Sequence, residues 1–80
     1  MSFDGDFYSN QVEEIANQAI DLPETMPVLI GPKRMIIRCP SQRVANRLVM
    51  RLYQAGYCSA VQPGRLSTLF YVRTYFKNTI

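Results

Sequence analysis

Residues 33–77, KRMIIRCPSQRVANRLVMRLYQAGYCSAVQPGRLSTLFYVRTYFK, decide how this chain folds. Pro40-Ser41 divides an extended stretch from a helical one. Ser41 is a good N-cap, Gly56 suits the position just past the helix end, and no glycine or proline lies between them. Val44, Ala45, Leu48, Leu52 and Ala55 recur at helical spacing and make the apolar face. Before the helix, Lys33–Cys39 alternates as a strand does, with Met35, Ile37 and Cys39 on one face and Arg34, Ile36 and Arg38 on the other. After it, Tyr57–Gln62 reads as a strand and Pro63-Gly64 fits the centre of a type II turn. Leu66–Lys77 is the most β-prone segment. It presents Phe70, Val72, Thr74 and Phe76 on one face, and Leu69, Tyr71, Arg73, Tyr75 and Lys77 on the other.

The order is therefore β-α-β-β, and the crossover through the helix is expected to be right-handed. The last strand belongs at the centre, antiparallel to both neighbours, with the helix over Phe70, Val72 and Phe76. Further out, Met26–Ile30 is extended and is the candidate for a fourth strand, with Gly31-Pro32 as the turn that follows. A second helix is expected from Asn10 or Gln11 to Ile20, because Asn10 and Glu13 resemble a capping box and Val12, Ile15, Ala16 and Ala19 form an apolar stripe. Pro23 ends it near Asp21. Residues 1–9 read as a flexible acidic start whose Phe3, Phe7 and Tyr8 could dock on the body. The expected fold is α+β: a three-stranded, mostly antiparallel sheet extendable to four, a βαββ core, and an N-terminal helix packed elsewhere on the sheet.

Eighty residues make a single domain, 1–80, near the lower limit for independent folding. The 48% hydrophobic content is that of a globular chain. The uncharged stretches 25–32 and 52–64 are too short and too interrupted to span a membrane, and the first residues do not resemble a secretion signal, so a cytoplasmic protein is expected.

The run MIIRCPSQRVANRLVMRLYQAGYCSAVQPGRLSTLFYVRTYF resembles half of a ferredoxin-like fold, and more specifically the βαββ part of a SPOR-type domain. The resemblance covers about 45 residues and consists of a strand, a helix of small and aliphatic residues, Ala-Gly before the second strand, and a hairpin. SPOR domains bind denuded peptidoglycan outside the cytoplasm. Residues 33–77 match only half of the repeat and the first residues do not resemble an export signal, so that activity is not expected here. In length and texture the chain also resembles short uncharacterised proteins of cyanobacterial genomes, a likeness that implies no activity.

Charge is sorted along the chain. All six acids lie within residues 1–24, and all nine bases lie from Lys33 onward, so an acidic arm precedes a basic body at 33–77. Such a body attracts anions or acidic partners, its own arm included. Two groups of candidate binding residues follow. Arg34, Arg38, Tyr71, Arg73 and Tyr75 share the outer sheet face, where arginines interleave with aromatics as in single-strand nucleic-acid binders. The ordinary alternative has the N-terminal helix cover this face, bury Leu69 and Tyr71, and pair its acids with the arginines. Arg43, Arg47 and Arg51 recur every four residues along the outer side of the central helix, which contains no glutamate. Arginine outnumbers lysine seven to two, favouring bidentate or stacked contacts. The acidic arm itself is either a screen over the basic body or part of the core.

Catalysis is not expected. With no histidine there is no evident base for a thiolate nucleophile, and Gly31-Pro32-Lys33-Arg34 lacks the spacing of a phosphate loop. Cys39 and Cys58 are the only cysteines and read as buried, reduced thiols, so neither cofactor nor metal is expected. The sequence points to a non-enzymatic interaction module for an acidic protein surface or a second copy of itself, with RNA or single-stranded DNA binding as the alternative.

Overall fold

The structure, a computed structural model, describes residues 3–66 and 68–77. The side chains of residues 3–9, and with them the docking expected of Phe3, Phe7 and Tyr8, lie outside the description, as does Ser67 within the expected last strand. Helix α1 (Phe3–Ala19) leads into β1 (Met26–Ile30), β2 (Arg34–Cys39), helix α2 (Gln42–Gln54), β3 (Ser59–Pro63) and β4 (Phe70–Tyr75). The strands form one sheet in the order β1-β2-β4-β3, with every neighbouring pair antiparallel. The fold is α+β, the fourth strand is present, and the last strand lies between β2 and β3 as its apolar character implies.

Local signals explain α2. The Ser41 hydroxyl accepts the Val44 N–H at 3.3 Å, supplying one partner that the first helical turn lacks. At the other end Gly56 has φ +90°, a conformation that costs glycine little. Its N–H donates to Tyr53 O (3.0 Å) and the Tyr57 N–H donates to Leu52 O (2.8 Å), the paired bonds of a Schellman cap. Because the cap occupies Tyr57, β3 begins at Ser59 rather than at Tyr57 as the sequence suggested.

One core holds the fold together. Met35, Ile37 and Cys39 of β2 and Val72 of β4 share a face, since Ile37 stands opposite Val72 and Met35 opposite Thr74. Ala45, Leu48 and Leu52 of α2 pack on it, joined by Ile15 and Ala19 of α1 and by Leu22 beyond it. Both helices therefore belong to the same core on one side of the sheet. The expectation that α1 would cover the outer face is corrected here. Its Val12, Ile15, Ala16 and Ala19 stripe is the buried one, but it is used beside α2.

Two other sequence expectations are corrected. Helix α1 begins at Phe3, so Asn10 lies inside it rather than capping it. The Asp-, Ser- and Gly-containing start has weak helix propensity. Once the Val12–Ala19 segment is packed, however, extending a helix is cheaper than starting one. The β3–β4 connection is also wider than a type II turn. Pro63 still pairs with Phe70, residues 64–69 make the loop, and Gly64 does not have positive φ. The Gly64 N–H donates to Leu69 O at 2.8 Å. A Cβ on Gly64 would lie 3.0 Å from that oxygen and 3.0 Å from the Tyr71 ring, so the close approach is what requires glycine.

A polar clasp ties α1 to the sheet. Gln11 is buried, and its side-chain amide pairs with the backbone of Lys77 in both directions: Nε2 donates to Lys77 O (3.0 Å) and Lys77 N–H donates to Oε1 (2.6 Å). Next to it the Tyr57 hydroxyl donates to Glu14 (2.9 Å), and the Lys77 ammonium lies 4.3 Å above the Tyr57 ring. Burial, then the carboxylate of Glu14, pushes the Tyr57 phenol above its usual range.

Candidate functional site

Placing both helices on one side leaves the other face of the sheet without a covering element among the described residues. Strand register arranges its side chains. Arg38 stands opposite Tyr71, Ile36 opposite Arg73, and Arg34 opposite Tyr75. On the flanks Met26 of β1 is opposite Arg38 and Leu29 opposite Ile36, while Ala60 and Gln62 of β3 are opposite Arg73 and Tyr71. Five of the eight candidate residues, Arg34, Arg38, Tyr71, Arg73 and Tyr75, are thus brought together on the two central strands.

The face is fixed in part by its own contacts. The Tyr71 ring lies against Gly64 and is half-buried. Arg73 is also half-buried; its Nη2 donates to Gln62 Oε1 (3.1 Å) and its Nη1 to the Tyr75 hydroxyl (3.5 Å), while its Nε is buried with no hydrogen-bond partner among the described residues. Arg38 Nη2 lies 3.7 Å from the Met26 sulfur. Among the described residues none of Arg34, Arg38 and Arg73 pairs with a carboxylate. An open depression of about 500 Å³ beside Arg38 is lined by Glu24, Thr25, Met26, Pro40 and Leu69.

The helical arginine row is divided. Arg43 and Arg47 are exposed on α2. Arg51 instead forms a bidentate ion pair with Asp21 just past α1, and its Nη1 also donates to Gln18 O at 3.1 Å. The Arg51 hydrogen bond holds the exposed Asp21 carboxyl below its ordinary range. The ion pair is a link between α1 and α2, present above the unfolded carboxyl's pKa and lost as pH falls through the lower folded value. Sequence periodicity put Arg51 in line with Arg43 and Arg47, but the turn after α1 brings Asp21 to it.

Sequence reasoning placed Ile36 and Leu69 among the arginines but did not bring the apolar residues of β1 to them. Met26, Val28, Leu29 and Ile30 of β1 are all exposed. The edge they form is interrupted: Pro27 has no N–H to offer, and the register slips between Pro27 and Leu29, leaving Val28 unpaired with β2. Proline and a bulge both blunt an edge against another strand. The apolar side chains that matter are then Met26 and Leu29, which extend the outer face itself.

The cysteines differ in environment, where the sequence suggested that both were buried. Cys39 is inaccessible and burial pushes its thiol up to about 11, whereas Cys58 is exposed. A maleimide added to the native protein is expected to label Cys58 quickly and Cys39 only on unfolding, as mass spectrometry of the digested adduct would show. Equal labelling at both sites would contradict this packing. The unfolded Cys39 thiol ionises first, so stability contributed by its neutral form is lost as pH rises from about 9 to about 11. Tyr57 acts in the same direction above its ordinary value of 10.0.

Among the described residues no helix is long and apolar enough to cross a membrane, and no cluster of three or more His, Cys, Asp or Glu could hold a metal ion. No protein-family model, curated protein or solved structure matches the chain.

Proposed function

We propose that this chain is a non-enzymatic cytoplasmic interaction module whose open sheet face receives an acidic protein partner. One observation carries the reading: Arg34, Arg38 and Arg73 share an uncovered sheet face and have no carboxylate partner among the described residues. The composition of the face supports a protein ligand. Arginine, tyrosine and methionine are enriched at protein interfaces and lysine is depleted there, and Met26, Leu29 and Ile36 accompany the arginines here. Nucleic-acid binding has less to use. Stacking needs free ring faces, and of the two tyrosines on this face Tyr71 is half-buried beside Gly64, which leaves the exposed Tyr75. Pairing through the β1 edge is opposed by Pro27 and the bulge.

The test is a pair of NMR titrations of the labelled protein, with a glutamate-rich, leucine-containing peptide and with a mixed-sequence single-stranded RNA. The peptide is expected to shift the amides of Arg34, Ile36, Arg38, Tyr71, Arg73 and Tyr75 while leaving α2 unmoved. Binding of RNA alone, or peptide shifts confined to Arg43 and Arg47, would overturn the proposal. Sedimentation without ligand is expected to give the monomer mass; a concentration-dependent dimer would move the reading to self-association.

A further inference from the structure

We infer, on the basis of that reading, that the element received by the sheet face is an amphipathic helix lying along the strands, with acidic residues recurring every four positions. The spacing of the cations is the first support. Arg38, Arg73 and Arg34 occupy successive steps of two residues along the antiparallel β2–β4 ladder. Each step is about 6.6–6.8 Å along the strands, and the arginines alternate across a gap of about 5 Å between them. A helix rises about 6 Å in four residues. Carboxylates at i, i+4 and i+8 therefore meet Arg38, Arg73 and Arg34 in turn, within the reach of flexible side chains.

Backbone chemistry selects a helix over a strand. An extended peptide would also offer a side chain every 6.6–6.8 Å or so. Laid on a sheet face rather than an edge, however, it would press its own N–H and C=O groups against side chains that cannot satisfy them all. A helix brings those groups already paired. Helices covering a sheet face are also a standard layer of mixed folds, and among the described residues one face alone has them. Ile36 lies between the arginines on the same face, flanked by Leu29, and provides the apolar contact for positions beside the acids.

Arg73 is the centre of the site. It sits on β4 between two neighbouring strands, is half-buried, and keeps a buried Nε without a hydrogen-bond partner among the described residues. A partly buried guanidinium whose hydrogen-bond partners, Gln62 and Tyr75, are neutral lacks a countercharge among the described residues, which a partner carboxylate would supply.

The experiment uses the full chain and two synthetic twenty-residue peptides of identical composition. One carries glutamate at i, i+4 and i+8 beside a leucine seam; the other has the same residues in an order with no helical period. The periodic peptide is expected to bind at least tenfold more tightly by calorimetry, to gain helicity on binding, and to perturb Ile36, Arg73 and Tyr75. Arg73→Gln is expected to weaken it about tenfold. Arg38→Gln, at the half-exposed rim, provides a second variant with less risk to folding and is expected to weaken it severalfold. Arg47→Gln on α2 should have no effect. Equal binding of the two peptides at this face would overturn the helix inference while leaving the docking reading intact. If neither peptide binds, or if a single-stranded RNA competes them off the same residues with higher affinity, both fall.

Discussion

Deleting residues 1–24 is expected to leave a chain that does not fold at 25 °C. The segment contains all six acids, and on charge alone it resembles a removable screen over the basic body. The structure gives it a different weight. Ile15, Ala19 and Leu22 are buried in the single core with Met35, Ile37 and Leu48. Burying the Ile15 and Leu22 side chains alone contributes about 1.5–3 kcal/mol each. The Gln11 clasp and the Asp21–Arg51 ion pair would be lost as well, and the apolar surface of β2 and α2 beneath α1 would be exposed to water. A domain of this size has roughly 4–12 kcal/mol of total stability at 0.05–0.15 kcal/mol per residue, so the losses approach the whole. Circular dichroism and one-dimensional NMR of residues 25–80 check the prediction. A cooperative thermal transition with dispersed methyl resonances would refute it and return α1 to the role of a screen.

Gln11→Leu is expected to destabilise the protein by about 2–4 kcal/mol, although leucine is the more hydrophobic residue. The side-chain amide of Gln11 is the partner of both the N–H and the C=O of Lys77, just beyond β4. Leucine fills similar space and satisfies neither. Each buried backbone group left without a partner costs about 1–3 kcal/mol, reduced here to the extent that water reaches Lys77. The melting temperature should fall by roughly 8–32 °C, since 1 kcal/mol corresponds to about 4–8 °C in a domain of this length. Gln11→Glu separates hydrogen bonding from size. It keeps the acceptor for Lys77 N–H but, when ionised, has no donor for Lys77 O. Its folded pKa is therefore expected to lie above the unfolded one, so its deficit relative to wild type should narrow as pH falls toward about 4. An unchanged melting temperature in Gln11→Leu would show that the clasp contributes nothing.

Much of the fold can be read locally. The α2 boundaries follow from Ser41 and Gly56, whose roles depend on neighbours a few residues away. The faces of β2 and β4 follow from strict alternation, and the buried set of Met35, Ile37, Cys39 and Val72 is the one that alternation selects. The start of α1 and the β3–β4 loop were harder to read. In both places weak local preferences are overruled by distant partners: the core packing that anchors α1, and the Pro63–Phe70 pairing that widens the turn.

The candidate site divides in the same way. Arg34, Arg38, Tyr71, Arg73 and Tyr75 could be assigned to one outer face from sequence, because side-chain direction in a strand depends only on parity. Whether that face was open could not, because two amphipathic helices and one sheet allow α1 to lie on either side. Arg51 illustrates the limit. Its spacing matches Arg43 and Arg47, yet its partner Asp21 lies 30 positions earlier in the chain.

By itself, then, the sequence determined the kinds of elements, their caps, their faces and the segregation of charge, all of which depend on short-range geometry and composition. Only the tertiary structure decided which side of the sheet α1 covers, which cations pair with Glu14 and Asp21, and which arginines have no carboxylate partner among the described residues. Those outcomes depend on packing among residues distant in the chain, where several arrangements satisfy the same local pattern and the buried core selects one.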